Sequence, residues 1–109
     1  MNTNEKFRQY VKNGLADINF NGIYESINED GSYIPSKILN ACQLVLYQLE
    51  FDNRLTPTIA SFLSFHISAL KGETEEPKRY DKNELLYLVQ KLEHLLNHKE
   101  SKDKLDLYI

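Results

Sequence analysis

The sequence predicts an all-α protein, and three features of the chain lead to that prediction. Four stretches repeat apolar residues at the three- and four-residue spacing of an amphipathic helix. Three of them open with helix-starting residues: Pro35, Thr56 followed by Pro57, and the pair Asp81 and Glu84. A hydrophobic content of 41% in 109 residues is enough for one core, hence for a single domain. Short connections favour an antiparallel four-helix bundle with a short irregular segment between its first two helices.

The first helix is expected over about residues 4–18, although Gly14 weakens its middle by roughly 1 kcal/mol relative to alanine. Its apolar face comprises Phe7, Tyr10, Val11, Leu15 and Ile18. Residues 19–34 allow two interpretations. Apolar residues at helical spacing fit a short helix, whereas Asn21-Gly22 and Asp30-Gly31 are turn dipeptides that fit a small hairpin. We favour the short helix followed by a loop.

Three longer helices are expected after this segment. The second begins at Pro35 and runs to about residue 51, and the fourth begins after Asp81. The third lies between Thr56, which can cap its start, and Gly72, which can close its end in the left-handed conformation. Its apolar residues lie nearly all round the axis, namely Ile59, Ala60, Phe62, Leu63, Phe65, Ile67, Ala69 and Leu70. Such a helix should be buried on most sides, so the third helix is predicted to be the central one.

Charge and cysteine content exclude several classes of function. The 13 Lys and Arg residues are scattered in a chain of net charge −3, without the basic face typical of nucleic-acid binding. A lone cysteine, Cys42, cannot form an internal disulfide and indicates a reducing compartment. The amino-terminal residues lack an apolar signal core, and no apolar run approaches the ~20 residues of a membrane span. We therefore expect a cytoplasmic monomer.

Residues 17–28 invite comparison with a calcium-binding loop. Asp17, Asn19 and Asn21 match three oxygen-ligand positions, and Gly22 matches the position of the sharp turn. The twelfth position is Asn28 rather than the glutamate that completes the coordination shell. An asparagine-rich helix end explains the same residues, and a calcium-responsive helical module stays as an alternative.

The histidines give no clear catalytic or metal site. His94 and His98 are four residues apart and share one helix face, as two zinc ligands would, but no third ligand accompanies them. His66 lies within the third helix, and we expect a structural imidazole bonded to a tyrosine or a backbone carbonyl. No phosphate-binding loop, nucleophile elbow or carboxylate pair is present. The sequence therefore predicts no catalytic residue, metal or cofactor, and a protein that is not an enzyme.

The surface offers a stronger signal for protein binding. The chain has seven tyrosines, a residue that contributes contact area at interfaces at low entropic cost. The final apolar residues follow a charged stretch, so they must dock either on the helices or on a partner. The predicted partner-binding residues are Tyr87, His94, Leu107, Tyr108 and Ile109.

From Ser36 onward the layout resembles the pediocin-like bacteriocin immunity proteins. The resemblance lies in the order SKILNACQLVLYQLE, a polar turn, PTIASFLSFHISALKG, a helix opening near YDKNELLYLVQKLEHL, and a distinct carboxy-terminal tail. It implies a small cytosolic antiparallel four-helix bundle that protects a producer cell from its own toxin, with specificity in the carboxy-terminal part. We therefore predict an immunity or inhibitor protein whose partner is a toxin or the toxin's receptor. A phage- or plasmid-type regulatory adaptor is the alternative of another class.

Overall fold

Helices form all the regular secondary structure of the described residues, so the all-α prediction is confirmed. The computed structural model describes residues 3–14, 17–76, 78–98 and 102–109, and within this part there is no strand. The helices are α1 (Thr3–Lys12), α2 (Phe20–Glu25), α3 (Pro35–Phe51), α4 (Pro57–Lys71), α5 (Lys82–Asn97) and the short α6 (Lys102–Leu105), before a 3-10 turn over Asp106–Tyr108. No helix among the described residues has both the length and the apolar character needed to cross a bilayer.

The central helix is α3. Helices α1, α4 and α5 all pack against it, whereas α2 packs on α5. Its buried residues follow one another along almost every turn: Ile38, Ala41, Cys42, Gln43, Val45, Tyr47 and Leu49. The prediction that residues 57–71 form the central helix is wrong, because Phe65 on α4 is 53% exposed. Helix α4 packs mainly on α3, so part of its apolar circumference faces solvent.

Helix α1 is shorter than predicted because a glycine ends it. The helix stops at Lys12, and Gly14 adopts a φ of 69°, the left-handed conformation that favours glycine. Its N–H donates to the Val11 carbonyl at 3.1 Å. Gly14 therefore closes α1 instead of weakening its middle, and Leu15, predicted to lie on the same helix, is outside the described residues.

Residues 20–25 form the predicted short helix, so the hairpin interpretation is wrong. The Asn19 side chain caps α2 by accepting the N–H of Gly22 at 3.0 Å. A loop then turns at Asp30, whose carboxylate accepts the N–H of Ser32 at 2.9 Å. The hydrogen bond from Ser32 lowers the pKa of Asp30. Buried Phe20, Ile23 and Ile27 anchor this segment in the main core.

The start and stop signals of α4 and α5 act as predicted. The Thr56 hydroxyl accepts the N–H of Ile59 at 3.1 Å, and Gly72 closes α4 at a φ of 75°. At the start of α5, Asp81 and Glu84 form a capping box in which the Asp81 carboxylate accepts the Glu84 N–H at 2.7 Å. Both helices thus have ends defined by local sequence.

The carboxy-terminal segment docks on the helices through buried Leu105 and a hydrogen bond of Asp106. Leu105 is fully buried in the main core. Next to it, the Asp106 carboxylate accepts a hydrogen bond from the Thr56 hydroxyl, and nearby the Arg54 guanidinium donates to the His98 carbonyl. Of the two outcomes that the sequence left open, docking on the helices therefore holds for Leu105, whereas Leu107 stays 82% exposed.

Cys42 lies at the centre of this packing. Its side chain is fully buried on α3, among the residues of the main core. Burial raises the pKa of the thiol to about 12, because the thiolate would lose its hydration there. Cys42 is a core residue, as its neighbours in the sequence predict.

Candidate functional site: an aromatic groove between α4 and α5

Helices α4 and α5 leave a groove of about 250 Å³ between them. We call it the aromatic groove, because its apolar lining consists mostly of rings: Phe62, Phe65, Tyr80, Tyr87 and Leu88. The first two residues come from α4, the last two come from α5, and Tyr80 lies just before α5. Two helices that both pack on α3 thus present a shared concave surface.

The walls of the aromatic groove are two exposed aromatic side chains. Phe65 is 53% exposed on α4, and Tyr87 is 57% exposed on α5. Large apolar side chains at such exposure gain little from folding, because most of their surface stays in water. Their placement on opposite helices makes them available to a ligand that enters the groove.

The floor of the aromatic groove is organised around His66. Its Nδ1 lies 2.7 Å from the Tyr80 hydroxyl oxygen. The His66 ring also contacts the rings of Phe62 and Phe65 edge-on, with centroid separations of 4.7 and 5.1 Å. The predicted tyrosine partner of His66 is therefore present, and the imidazole is held by three aromatic neighbours.

The charged groups of the aromatic groove balance each other. Lys78 donates to the Glu84 carboxylate at 2.8 Å, and its ammonium group lies 4.9 Å from the centre of the Tyr80 ring. The hydrogen bond from Lys78 is the main reason that the pKa of Glu84 is lowered. Burial, and then the positive charge of Lys78, lowers the pKa of His66. At neutral pH the lining therefore holds one compensated ion pair and a neutral imidazole.

Two of the predicted partner-binding residues lie at or beside the aromatic groove. Tyr87 also borders a second hollow of about 230 Å³, which Gln90, Lys91 and His94 complete. There the Lys91 ammonium lies 4.9 Å from the centre of the Tyr87 ring. His94 is half-buried, and its ring stacks on that of His98 with a centroid separation of 4.0 Å. Tyr87 thus connects the groove with the hollow that His94 borders.

The other predicted residues lie elsewhere. Leu107 and Ile109 follow Asp106, which bonds to Thr56 at the start of α4. His66 comes ten residues later in the chain than Thr56, about 15 Å along the helix axis. The side chain of Tyr108 lies outside the described residues. The predicted set is therefore divided between α5, which carries Tyr87 and His94, and the carboxy-terminal segment, which carries Leu107 and Ile109.

Sequence reasoning missed the residues that form the groove on the α4 side. The apolar circumference of their helix predicts burial for Phe62 and Phe65. Phe62 is partly buried and packs against the main core, whereas Phe65 is 53% exposed. A helix packed mainly against one neighbour cannot bury its whole circumference, so an excess of apolar residues is itself a signal of a surface patch.

The calcium-like segment folds differently from a calcium loop. Gly22 lies inside α2, and its φ is not positive, so it does not provide the sharp turn of such a loop. Asp17, Asn19, Asn21 and Glu93 line a hollow of about 450 Å³, where Glu93 accepts a hydrogen bond from the Tyr24 hydroxyl at 3.3 Å. Among the described residues, no three His, Cys, Asp or Glu side chains are grouped so that they could hold a metal ion.

The aromatic groove can supply apolar contact, aromatic faces and hydrogen bonding by one imidazole, which is the chemistry of binding. No family model, curated protein or solved structure matches the chain. The resemblance to the pediocin-like immunity proteins therefore rests on the layout of the sequence from Ser36 onward alone.

Proposed function

We propose that the protein is a non-catalytic binding protein of the immunity or inhibitor type, which protects its cell against a bacteriocin or another protein toxin. Its partner would be the toxin or the toxin's receptor. The observation that carries this proposal is the pair of exposed rings, Phe65 and Tyr87, on opposite walls of one groove. Exposed aromatic side chains around a concavity are typical of the residues that dominate binding energy at protein interfaces.

The support beneath these rings favours binding without rearrangement. Phe65 stands on a helix with a capped start and a glycine-closed end, and Tyr87 stands on a helix that opens with a capping box. The hydrogen bond between His66 and Tyr80 ties the groove floor to the connection between the two helices. A surface already in its bound conformation loses little entropy when a partner docks, which increases affinity.

The resemblance to the pediocin-like immunity proteins completes the proposal. On this proposal, the longer helices are arranged as an antiparallel four-helix bundle, and the protein acts in the cytoplasm as a monomer. Leu107 and Ile109, exposed beyond the docked Leu105, form a second contact with the partner. His94 and Tyr87 extend the contact along α5.

A protection assay tests the proposal. Sensitive cells expressing the chain are challenged with a panel of purified pediocin-like bacteriocins, and survival is compared for wild type, Phe65→Ala and Tyr87→Ala. We expect each substitution to reduce protection about tenfold or more, because a central aromatic contact is lost. Melting temperatures should stay close to wild type, since both side chains are largely exposed.

Phe51→Ala is the matched control. Phe51 is 59% exposed at the end of α3 and does not line the aromatic groove, so its removal should leave protection unchanged. Equal loss of protection in Phe51→Ala, or full protection by both groove variants, would contradict the proposed binding surface.

A further inference from the structure

The Nε2 atom of His66 is the one ring nitrogen at the groove floor that no described residue bonds. Nδ1 is taken by Tyr80, and no hydrogen bond within the described part of the chain involves Nε2. His66 is half-buried, so part of its ring is open to solvent. Because His66 lines the aromatic groove, the open side of its ring is the side that a bound ligand would meet.

Tyr80 determines which nitrogen carries the proton. The Tyr80 side chain is 6% exposed, and within the described residues its hydroxyl has a single hydrogen-bond partner, His66 Nδ1. A buried hydroxyl with one partner satisfies its proton by donating it, whereas accepting would leave that proton unpaired. Nδ1 is then the acceptor, and the proton of the neutral imidazole lies on Nε2. With this assignment of the proton, the groove floor presents an N–H donor.

We propose that the aromatic groove binds a peptide segment of the partner whose apolar side chain lies between Phe65 and Tyr87, and whose adjacent backbone carbonyl accepts the Nε2–H of His66. This inference rests on the proposed protein-binding function and names the chemistry that the partner must present. Tyr80 acts as a positioning residue, because it fixes the tautomer without touching the ligand. The occupant must therefore present an apolar group to the rings of Phe65 and Tyr87 and an acceptor to the Nε2–H of His66.

The charge balance of the groove favours a neutral occupant. Glu84 compensates the charge of Lys78, so the lining has no net charge to pair with an incoming carboxylate. The ring faces of Tyr80 and Tyr87 already lie under the ammonium groups of Lys78 and Lys91. A lysine or arginine side chain of the partner would therefore find both ring faces already taken by a cation. An apolar side chain next to an amide carbonyl needs neither a charged partner nor a free ring face for a cation.

The probe for this inference is N-acetyl-L-leucinamide, which carries an apolar side chain between two amide carbonyls. Histidine-labelled protein is titrated with it while the ¹⁵N and ¹H resonances of the His66 ring are followed. We expect the free protein to show the Nε2-protonated tautomer and the probe to shift the Nε2 resonance. In Tyr80→Phe we expect a mixture of tautomers and weaker binding, because Nδ1 loses its donor.

Two substitutions at His66 separate the donor from the shape of the site. His66→Gln places an amide N–H near the position of Nε2, whereas His66→Asn reaches only the position of Nδ1. The dissociation constant of the probe should rise about tenfold in His66→Asn, as for one lost hydrogen bond, and stay within about threefold of wild type in His66→Gln. Melting temperatures of both variants show whether the fold is intact.

Three results would overturn the inference. These are an Nδ1-protonated tautomer in the free protein, equal probe affinity in His66→Asn and His66→Gln, and tighter binding of N-acetyl-L-leucine, whose carboxylate carries a charge. Failure of the proposed function has another signature. Wild type itself would then give no protection, even where the probe binds the groove through His66.

Discussion

Both faces of α4 carry large apolar residues, but one face packs against the core and the other borders the aromatic groove. Ile59 and Leu63 are fully buried against the core, whereas Phe65 is 53% exposed beside the aromatic groove. Residues on the first face define how the helix packs, and residues on the second leave apolar surface available to a ligand. The comparison shows that apolar content alone does not identify the core of this protein, because α4 has more apolar residues than its neighbours can cover.

The strongest test of the comparison is to remove one side chain from each face. Leu63→Ala should lower the free energy of unfolding by about 3–5 kcal/mol, because it leaves a cavity in a fully packed site. Phe65→Ala should lower it by less than about 1 kcal/mol, although phenylalanine is the larger side chain. Urea denaturation measures both values. Similar losses in the two variants would show that the faces do not differ.

The carboxy-terminal segment shows the same contrast between a buried and an exposed apolar residue, Leu105 and Leu107. Leu105→Ala should reduce the free energy of unfolding by about 2–3 kcal/mol, at the low end for a buried leucine because a terminal segment can shift to fill the space. Leu107→Ala should change it by less than about 0.5 kcal/mol, since that side chain is largely in water. Thermal and urea unfolding of the pair provide the check. If Leu107→Ala is the more destabilising variant, the segment docks in another register.

A smaller effect is expected where the buried face of α4 begins. Thr56→Ala removes the cap for the Ile59 N–H and the donor to Asp106, so stability should fall by about 1–2 kcal/mol. Thr56→Ser keeps a hydroxyl at the same place and should recover most of the loss. Denaturation curves of both variants decide this, and an equal loss in Thr56→Ser would assign the effect to the threonine methyl group.

The smallest effect concerns His66, which lines the aromatic groove. Its pKa is lowered in the folded protein from the ordinary value of 6.5, so the unfolded chain takes up a proton first as pH falls. The contribution of His66 to stability should therefore decrease as pH drops below about 6.5, and level off once pH is under the folded-state pKa. The free energies of unfolding of wild type and His66→Gln, measured by urea between about pH 7.5 and 5, isolate this contribution. A contribution that increases on acidification would contradict the neutral imidazole.

Local signals in the sequence predicted the ends of the later helices. Thr56, Gly72 and the Asp81–Glu84 capping box act within three or four residues of the chain, so no knowledge of packing was needed. The short helix α2 was also predicted in preference to a hairpin, and its cap by Asn19 has the same local character. Gly14 was the exception, since a helix-closing glycine and a tolerated one look alike in sequence.

Packing between helices was beyond the reach of the sequence. The choice of α3 over α4 as central helix depends on which neighbours cover each face, and periodicity does not contain that information. The groove depends on it as well: Tyr80 meets His66 across the connection between α4 and α5. The sequence predicted Tyr87 as a partner-binding residue. That Phe65 is exposed on the other side of the groove could be recognised only in the folded structure.

Because Cys42 is buried, the rate at which its thiol is labelled reports how often the core opens. The chain has a single thiol, it lies on the central helix, and its pKa is about 12, so a thiol-modifying reagent can act only while α3 separates from its neighbours. Under native conditions the rate of labelling then reports how often the centre of the molecule opens. A ligand that binds only the closed form slows this rate in proportion to its occupancy, so labelling of one sulfur atom can follow binding at the aromatic groove.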